Sequence, residues 1–366
     1  MKRILKIFII ALTICQVSYG QENADKIDSL LTVFYDKKEF NGTVLVAENR
    51  RQVYHGAYGH SDFDTKEKLD TNSIFNIASA TKPLTAMAIL ILHDRDELNI
   101  DDDVTKYLTE LPYEGITLRH MLNHTSGLPD FSNEFDQFKD LIDTSKAFAN
   151  EDLLALLEEH APPLNFEPGE KYSYSNTGYN LLTMVVVNVT GKPFEEFLQT
   201  EIFDPLEMKH SFSGATFTND KETTKGYRYR DGAYIRDSLG VYIASLRGSS
   251  FEFSTQGSGD IRSTTGDLFK FDQALRNGEL VKLETLEQAY TKATLNDSTE
   301  IPYGFGWRIY EDSTKKSVYH GGSAIGYRSL FRRGIRTDNN TIIILSNATN
   351  ANSFAILNGI NAILNE

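Results

Sequence analysis

The chain has 366 residues, of which 40% are hydrophobic and 24% are charged, and its formal net charge at pH 7 is -14. This composition is too apolar for a disordered chain, and it supplies a large packed core in one large domain or two closely packed ones. The acidic balance repels phosphate backbones, and no basic cluster with interleaved aromatic residues occurs, so nucleic-acid binding is not expected.

The first twenty residues have the pattern of an export signal. Lys2, Arg3 and Lys6 form a basic start, the apolar run IFIIALTIC follows, and Ser18 and Gly20 are the small residues of a cleavage site. A permanent membrane anchor is the alternative, but this run is shorter than the roughly 20 residues that span a bilayer. No later segment is long and apolar enough to span one, so we expect no stable membrane span after signal removal.

The single cysteine, Cys15, lies inside this signal. A lipoprotein anchor is an alternative, but Ile14 is bulkier than the small residue usually found before a lipidated cysteine. We therefore expect a periplasmic or secreted product, residues 21–366. It contains no cysteine, which excludes disulfides, thiol catalysis and cysteine metal sites. Its net charge is -17, because the segment removed carries three basic and no acidic side chains.

Hydrophobic periodicity predicts the first elements of the mature chain. Residues 24–40 carry apolar side chains at helical spacing, and GTVLVAENRRQVYHGAYG gives two β-rich runs around a polar turn. The segment after Lys82, PLTAMAILIL, is apolar all round and predicts a buried helix. Pro83 is tolerated only in a first turn, so this helix should begin near Ala80, with Ser79 at its N-terminal edge.

The middle of the chain, about 80–250, is predicted to be mostly helical. NEDLLALLEEH is a helix ended by Pro162 and Pro163, and NTGYNLLTMVVVNVTG is apolar for most of its length. Residues 221–256, rich in Tyr, Arg and Ser, are interpreted as a long loop region that lines the cleft.

Four strand candidates follow towards the C-terminus: GFGWRIY, SVYHGG, YRSLFRRGI and TIIILSN. The connections EDSTKK and RTDNN are short and polar, which favours antiparallel neighbours, and SFAILNGINAIL predicts a closing helix. The layout predicts an α+β fold, an α/β sandwich whose antiparallel sheet is built from both termini and flanked by helices. The sheet part comprises 21–78 and 251–366, and the inserted, mostly helical part is 79–250.

The spacing of Ser79 and Lys82 suggests acyl-transfer chemistry. A serine hydroxyl needs a base to become nucleophilic, and burial would lower the pKa of a lysine one helical turn away. Helix N-terminal N–H groups would stabilise a developing oxyanion. The spacing alone is weak evidence, because Ser313 and Lys316 repeat it in the polar turn EDSTKK, where we assign it no function.

Two further motifs strengthen this interpretation. Tyr174-Ser175-Asn176 is the only Tyr-x-Asn in the chain; a phenol can relay protons and an amide can hold a carbonyl, although a polar helix entry is the alternative. In VYHGGSAIGY a strand ends in His320-Gly321-Gly322, where two glycines allow close approach of a ligand, or form an ordinary β-bulge.

These three motifs, in this order, resemble the serine β-lactamase and penicillin-binding protein superfamily, in particular class C β-lactamases, D-aminopeptidases and related esterases. The segments FNGTVLVAENRRQVYHGAYG, ITLRHMLNHTSGLP, FEPGEKYSYSNTGYNLL and GSGDIRSTTGDLFKF also resemble that family. The resemblance implies that Ser79 is the acylated nucleophile, Lys82 its proton acceptor and Tyr174 the general base and acid. It implies that Asn176 binds the acyl amide and that the backbone N–H groups of Ser79 and Ser323 form the oxyanion hole.

The third motif departs from the family pattern. Where many members have Lys-Thr-Gly, this chain has His320, Gly321 and Gly322, which the resemblance assigns to substrate binding. Histidine is mostly neutral near pH 7, and Gly321 removes a hydroxyl, so the anchor for a substrate carboxylate is weakened. We therefore favour D-amino-acid amides, short peptides or esters as substrates. A β-lactamase, a D-Ala-D-Ala carboxypeptidase and a sensor that is acylated without turnover remain alternatives.

Two other groups of residues suggest different chemistry. Ser126 lies near His120 and His124 in sequence, but no Gly-x-Ser-x-Gly elbow surrounds it. The two histidines share a helical face at i, i+4 if the segment is a helix, yet Met121 stands where zinc peptidases carry glutamate. We therefore predict no metal and no cofactor.

Overall fold

The computed structural model describes residues 21–131, 147–214, 223–237, 254–336 and 338–366. The predicted export signal and part of the predicted helical region lie outside these residues. In the described part, no helix is both long enough and apolar enough to cross a bilayer. Its α-helices are α1 (21–36), α2 (Lys82–Asp94), α3 (Leu118–Leu122), α4 (Asn150–His160), α5 (Asn176–Thr190), α6 (Phe194–Leu198), α7 (Thr265–Asn277), α8 (Leu283–Ala289) and α9 (Ser353–Leu364).

The strands of the described residues form one large sheet and several short pairs. The large sheet is antiparallel, with β1 and β2 from the N-terminal side joined to β11 to β14 from the C-terminal side in the order β11-β12-β13-β14-β1-β2. The sheet built from both termini is thus confirmed. The strands are β1 (Gly42–Glu48), β2 (Arg51–Tyr58), β3 (His60–Asp62), β4 (Glu67–Lys68), β5 (Phe75–Asn76), β6 (Tyr227–Arg230), β7 (Ala233–Arg236), β8 (Arg262–Ser263), β9 (Ala293–Thr294), β10 (Glu300–Ile301), β11 (Arg308–Glu311), β12 (Lys316–Ala324), β13 (Tyr327–Arg336) and β14 (Thr341–Ser346).

Helices cover both faces of this sheet. Its strands β1 and β14 are apolar on both faces, so each face must be shielded from water. On one face α1 and α9 bury Ile27, Leu31, Ile356 and Ile360 against the sheet. On the other face α2 and α7 belong to the larger core, which also contains α4, α5 and most of the remaining elements. A strand pattern that is apolar on both faces is typical of a sheet enclosed between two layers.

The start of α2 differs by two residues from the prediction. A 3₁₀ turn, Ala78–Thr81, precedes the α-helix, which begins at Lys82 rather than near Ala80. Pro83 occupies the second helical position, where its missing N–H costs no helical hydrogen bond. The whole length from Lys82 to Leu92 is buried, as its continuous apolar sequence predicts. Ser79 therefore lies in a tighter turn just before the helix.

Other predicted elements are mostly confirmed. Helices α4 and α5 agree with the sequence pattern, and α5 ends at Gly191 in the left-handed conformation that glycine favours. The helix predicted over 24–40 ends at residue 36. The long loop predicted for 221–256 is wrong where the structure describes it, since β6 and β7 form a hairpin there. Alternating Tyr and Arg around Asp231-Gly232 was the signal for it.

Candidate active site

Ser79 lies in a backbone turn that is held in a strained conformation. The residue before it, Ala78, has φ +49°, a left-handed conformation that costs a residue with a Cβ roughly 1–2 kcal/mol. The side-chain oxygen of Asn76 compensates by accepting a hydrogen bond from the N–H of Ala78 at 2.7 Å. Strain of this kind at a non-glycine residue is typical of functional sites.

Strand β12 packs directly against this turn. A Cβ on Gly322 would lie only 2.5 Å from the carbonyl oxygen of Ile77, so no other residue fits between the strand and the turn. The hydroxyl of Ser329, on the neighbouring β13, donates to the same carbonyl oxygen at 2.6 Å. The His-Gly-Gly segment and the Ser-x-x-Lys segment, 240 residues apart in sequence, therefore share one cleft.

The side chain of Lys82, three residues after Ser79, is fully buried. Its Nζ donates hydrogen bonds to Oδ1 of Asn176 at 2.7 Å and to the carbonyl oxygen of Ser258 at 2.8 Å. Burial lowers the pKa of Lys82 to about 7, although Asp130 raises it in part. A neutral amine has two N–H bonds and one lone pair, so two oxygen acceptors leave the lone pair available to take a proton.

Tyr174 completes a group of three with Ser79 and Lys82. Its ring centroid is 4.7 Å from Nζ of Lys82. Burial raises the pKa of the Tyr174 phenol, while a side-chain hydrogen bond with Ser79 and the charge of Arg308 act in the opposite direction. The Tyr174 ring therefore lies against the Lys82 amine, and its phenol is close enough to Ser79 for that side chain to affect its pKa.

Asn176 is held by the helix that it begins. It is the first residue of α5, and its backbone N–H donates to the Asp130 carboxylate at 2.6 Å. Ser175 caps the helix by accepting from the N–H of Gly178 at 3.3 Å. These contacts orient the amide so that its oxygen accepts from Lys82.

The two histidines that suggested a metal site do not share a helix face. Helix α3 ends at Leu122, and His124 beyond it has φ +63°, so the i, i+4 arrangement is wrong. Nδ1 of His120 accepts from the N–H of Thr117 at 3.2 Å. Nδ1 of His124 accepts from the N–H of Ser175 at 3.1 Å, and its ring lies 4.3 Å from that of Tyr174. His124 thus contacts both the Tyr174 ring and the backbone of Ser175, a role that sequence spacing did not suggest.

His320 is buried, and both its nitrogens are engaged. Nδ1 is 2.8 Å from the carbonyl oxygen of Gly321, so this nitrogen carries the hydrogen, and Nε2 accepts from the hydroxyl of Tyr303 at 3.0 Å. Burial holds the pKa of His320 well below its usual value, and the charge of Lys82 lowers it further. The imidazole is therefore neutral, and the chain presents its backbone at this position.

A pocket of about 480 Å³ adjoins the cleft at the end of β12. Its walls include Arg308, Gly321, Gly322 and Ser323, and the first residues of α9 close its far side. Among the residues that the structure describes, no strand pairs with this edge of β12, because β11 pairs only with Lys316–Tyr319. Arg308 was not among the predicted site residues: a single arginine in a strand carries no motif, and only the pairing of β11 with β12 brings it to the cleft.

Comparisons with known proteins identify the family of this chain. The family model described as Beta-lactamase matches residues 27–364. Penicillin-binding protein 4* of Bacillus subtilis (strain 168) is 35% identical over 337 residues, covering 89% of this chain and 72% of that protein. The chain therefore belongs to the β-lactamase family and is a serine hydrolase of that family. The chain spans 62% of the length of a second curated relative and 63% of the length of a third.

Solved structures show the same fold. A penicillin binding protein from Bacillus halodurans aligns with a TM-score of 0.76 at 25% identity, over 91% of this chain and 98% of that chain. D-amino acid amidase from Ochrobactrum anthropi SV3 aligns with a TM-score of 0.76 at 21% identity, over 94% and 98% respectively. The predicted fold class, a β-lactamase/transpeptidase-like α+β sandwich, is confirmed.

Proposed function

We propose that this chain is an exported hydrolase that forms an acyl-enzyme on Ser79 and cleaves ester or amide bonds. The observation that carries the proposal is the buried amine of Lys82, whose two hydrogen bonds to oxygen leave a lone pair beside the Ser79 turn and the Tyr174 phenol. Its pKa of about 7 makes a neutral amine abundant at neutral pH. Export rests on the sequence of the first twenty residues alone.

The reaction begins with attack of Ser79 Oγ on the substrate carbonyl carbon. Its proton passes to the pair formed by Lys82 and Tyr174, and the carbonyl oxygen becomes an oxyanion held by the backbone N–H groups of Ser79 and Ser323. Collapse of this intermediate breaks the bond to the leaving group, which takes a proton from Tyr174. Water then attacks the acyl-enzyme, gives a proton to the same pair, and releases the acid as Ser79 recovers its hydrogen.

We propose D-amino-acid amides, short peptides or esters as the favoured substrates. In this proposal Asn176 binds the acyl amide, and the edge of β12 at Gly321 and Gly322, which β11 does not pair with, gives an extended substrate access to backbone groups. The structural similarity to a D-amino acid amidase supports an amide substrate at the level of the shared fold. The neutral His320 argues against a charged anchor at the position where the family carries lysine.

The test is covalent labelling followed by a turnover assay. The mature protein is incubated with p-nitrophenyl acetate, a D-amino-acid amide, a D-Ala-D-Ala peptide and a penicillin, and intact mass with peptide mapping locates any adduct. We expect an adduct on Ser79 and repeated turnover of the ester and the amide. Ser79→Ala should lose both while keeping its thermal unfolding transition. Turnover by Ser79→Ala would refute the nucleophile, and a single stoichiometric burst would identify a sensor instead.

A further inference from the structure

Arg308 is a cation at the catalytic cleft that lacks a carboxylate partner among the described residues. Its guanidinium lies 5.7 Å from the ring centroid of Tyr174 and 5.9 Å from that of Tyr303. It is half-buried and lines the pocket beside Gly321. Two other half-buried arginines, Arg119 and Arg276, are paired with Asp101 and Asp272. An arginine kept without such a pair beside a catalytic phenol points to a role in the reaction.

The fold holds Arg308 in this position by a short turn. The N–H of Gly304 donates to the carbonyl oxygen of Trp307 at 2.8 Å, and Tyr303 and Arg308 form an isolated antiparallel bridge across it. Arg308 then pairs with Tyr319 at the last position where β11 contacts β12. The guanidinium therefore projects where the open edge of β12 begins, next to the site.

The histidines and tyrosines around the Lys82–Tyr174 pair are neutral and therefore add no positive charge to that of Arg308. His124 and His320 are buried, and each accepts a hydrogen bond that fixes a neutral tautomer. The phenols of Tyr172, Tyr179 and Tyr303 all have pKa values above the ordinary range because of burial. None of these five groups supplies positive charge at neutral pH.

Two carboxylates act in the opposite sense. Asp130, which holds the N–H of Asn176, and Asp260, which accepts from Ser213 at 2.5 Å, both favour the protonated amine of Lys82. The positive charge of Arg308, 5.7 Å from the Tyr174 ring, acts against them, since it favours every step in which the pair loses a proton.

We propose that Arg308 is a positioning residue whose fixed positive charge makes the Lys82–Tyr174 pair available as a base at neutral pH. The inference rests on the proposed function and adds a residue to it. The charge that many family members carry on the lysine of their third motif is here supplied from the neighbouring strand, and the histidine in that motif stays neutral. Arg308 itself gains and loses no proton: the proton of Ser79 passes to the pair and then to the leaving group.

The experiment follows kcat/KM against pH for p-nitrophenyl acetate, a neutral ester, in Arg308→Gln and Arg308→Lys. Removing the Arg308 charge, which lies 5.7 Å from the Tyr174 ring, should move the acid limb of the profile to a pH about one unit higher. Below neutral pH this corresponds to about a tenfold loss in kcat/KM. Arg308→Lys keeps the charge and should restore most of the position of the limb. Arg95→Gln is the matched control, because Arg95 follows the far end of α2, about 20 Å from Lys82, and forms a surface pair with Glu201.

An unmoved acid limb in Arg308→Gln would overturn the proposal, even if the activity fell, because a structural role lowers activity without moving the profile. A rise in KM confined to the anionic ester p-nitrophenyl hemisuccinate, with an unchanged profile for the neutral ester, would make Arg308 a substrate anchor and would equally overturn it. Adduct formation on Ser79 of the unmodified chain is measured in parallel. If that adduct fails to form, the proposed function fails; if it forms and the limb does not move, only this inference fails.

Discussion

Replacing Lys82 with methionine is expected to stabilise the protein while removing its activity. The lysine side chain has no exposed surface, and burial lowers the pKa of its amine from 10.5 to about 7. Methionine has a similar length, and it places no ionisable group among the rings of Tyr174 and Tyr179. Lys82 therefore lowers the free energy of unfolding, and only its chemical role explains a lysine at this position.

The size of this cost follows from the two pKa values. Because the folded-state pKa lies below the unfolded one, the unfolded chain binds an extra proton between about pH 7 and pH 10.5, and stability rises with pH across that window. The penalty is complete below pH 7, at about 5 kcal/mol, and it is gone above pH 10.5. Between pH 7 and pH 9 it falls by about 2 kcal/mol.

The assay is urea unfolding of both proteins at pH 7 and pH 9. The advantage of Lys82→Met in free energy of unfolding should shrink by about 2 kcal/mol between the two pH values. Comparing differences cancels other titrating groups and the change in packing. Lys209→Met, at an exposed lysine, is the control, and its difference from the parent should stay constant. A pH-independent advantage of Lys82→Met would refute the argument that burial depresses this pKa.

Two further predictions concern the phenol and the strand. Tyr174→Phe should lower kcat about 100- to 10,000-fold with little change in fold, because it removes the proton relay but keeps the ring; stopped-flow acylation measures this, and an unchanged rate would contradict the assignment. Gly322→Ala should destabilise the fold by more than about 1 kcal/mol, since its Cβ would meet the carbonyl oxygen of Ile77 at 2.5 Å. Gly321→Ala is the matched control, with its nearest neighbour at 3.6 Å, and equal melting temperatures for the two would show that the strand does not press on the turn.

The sequence indicated the fold from patterns that act over short distances. Alternating and continuous apolar runs at both ends predicted the strands, because side-chain period depends only on local backbone geometry. The polar connections predicted antiparallel neighbours because they are too short for the crossover that joins parallel strands. Where the prediction was wrong, as for the start of α2 and for the hairpin at 227–236, the boundary depended on the geometry of a 3₁₀ turn and on a short strand pair that periodicity did not mark.

The sequence by itself determined which chemical groups were available: one serine and one lysine at the entrance of an apolar helix, one Tyr-x-Asn, and a strand ending in two glycines. Tertiary structure alone decided their surroundings. It buried the Lys82 amine, supplied the oxygen of Ser258 from 176 residues away, placed His124 behind Tyr174, and brought Arg308 to the cleft. The pKa values and hydrogen bonds of the site depend on burial and on distances between segments that are far apart in sequence. No local pattern of residues encodes that burial or those distances.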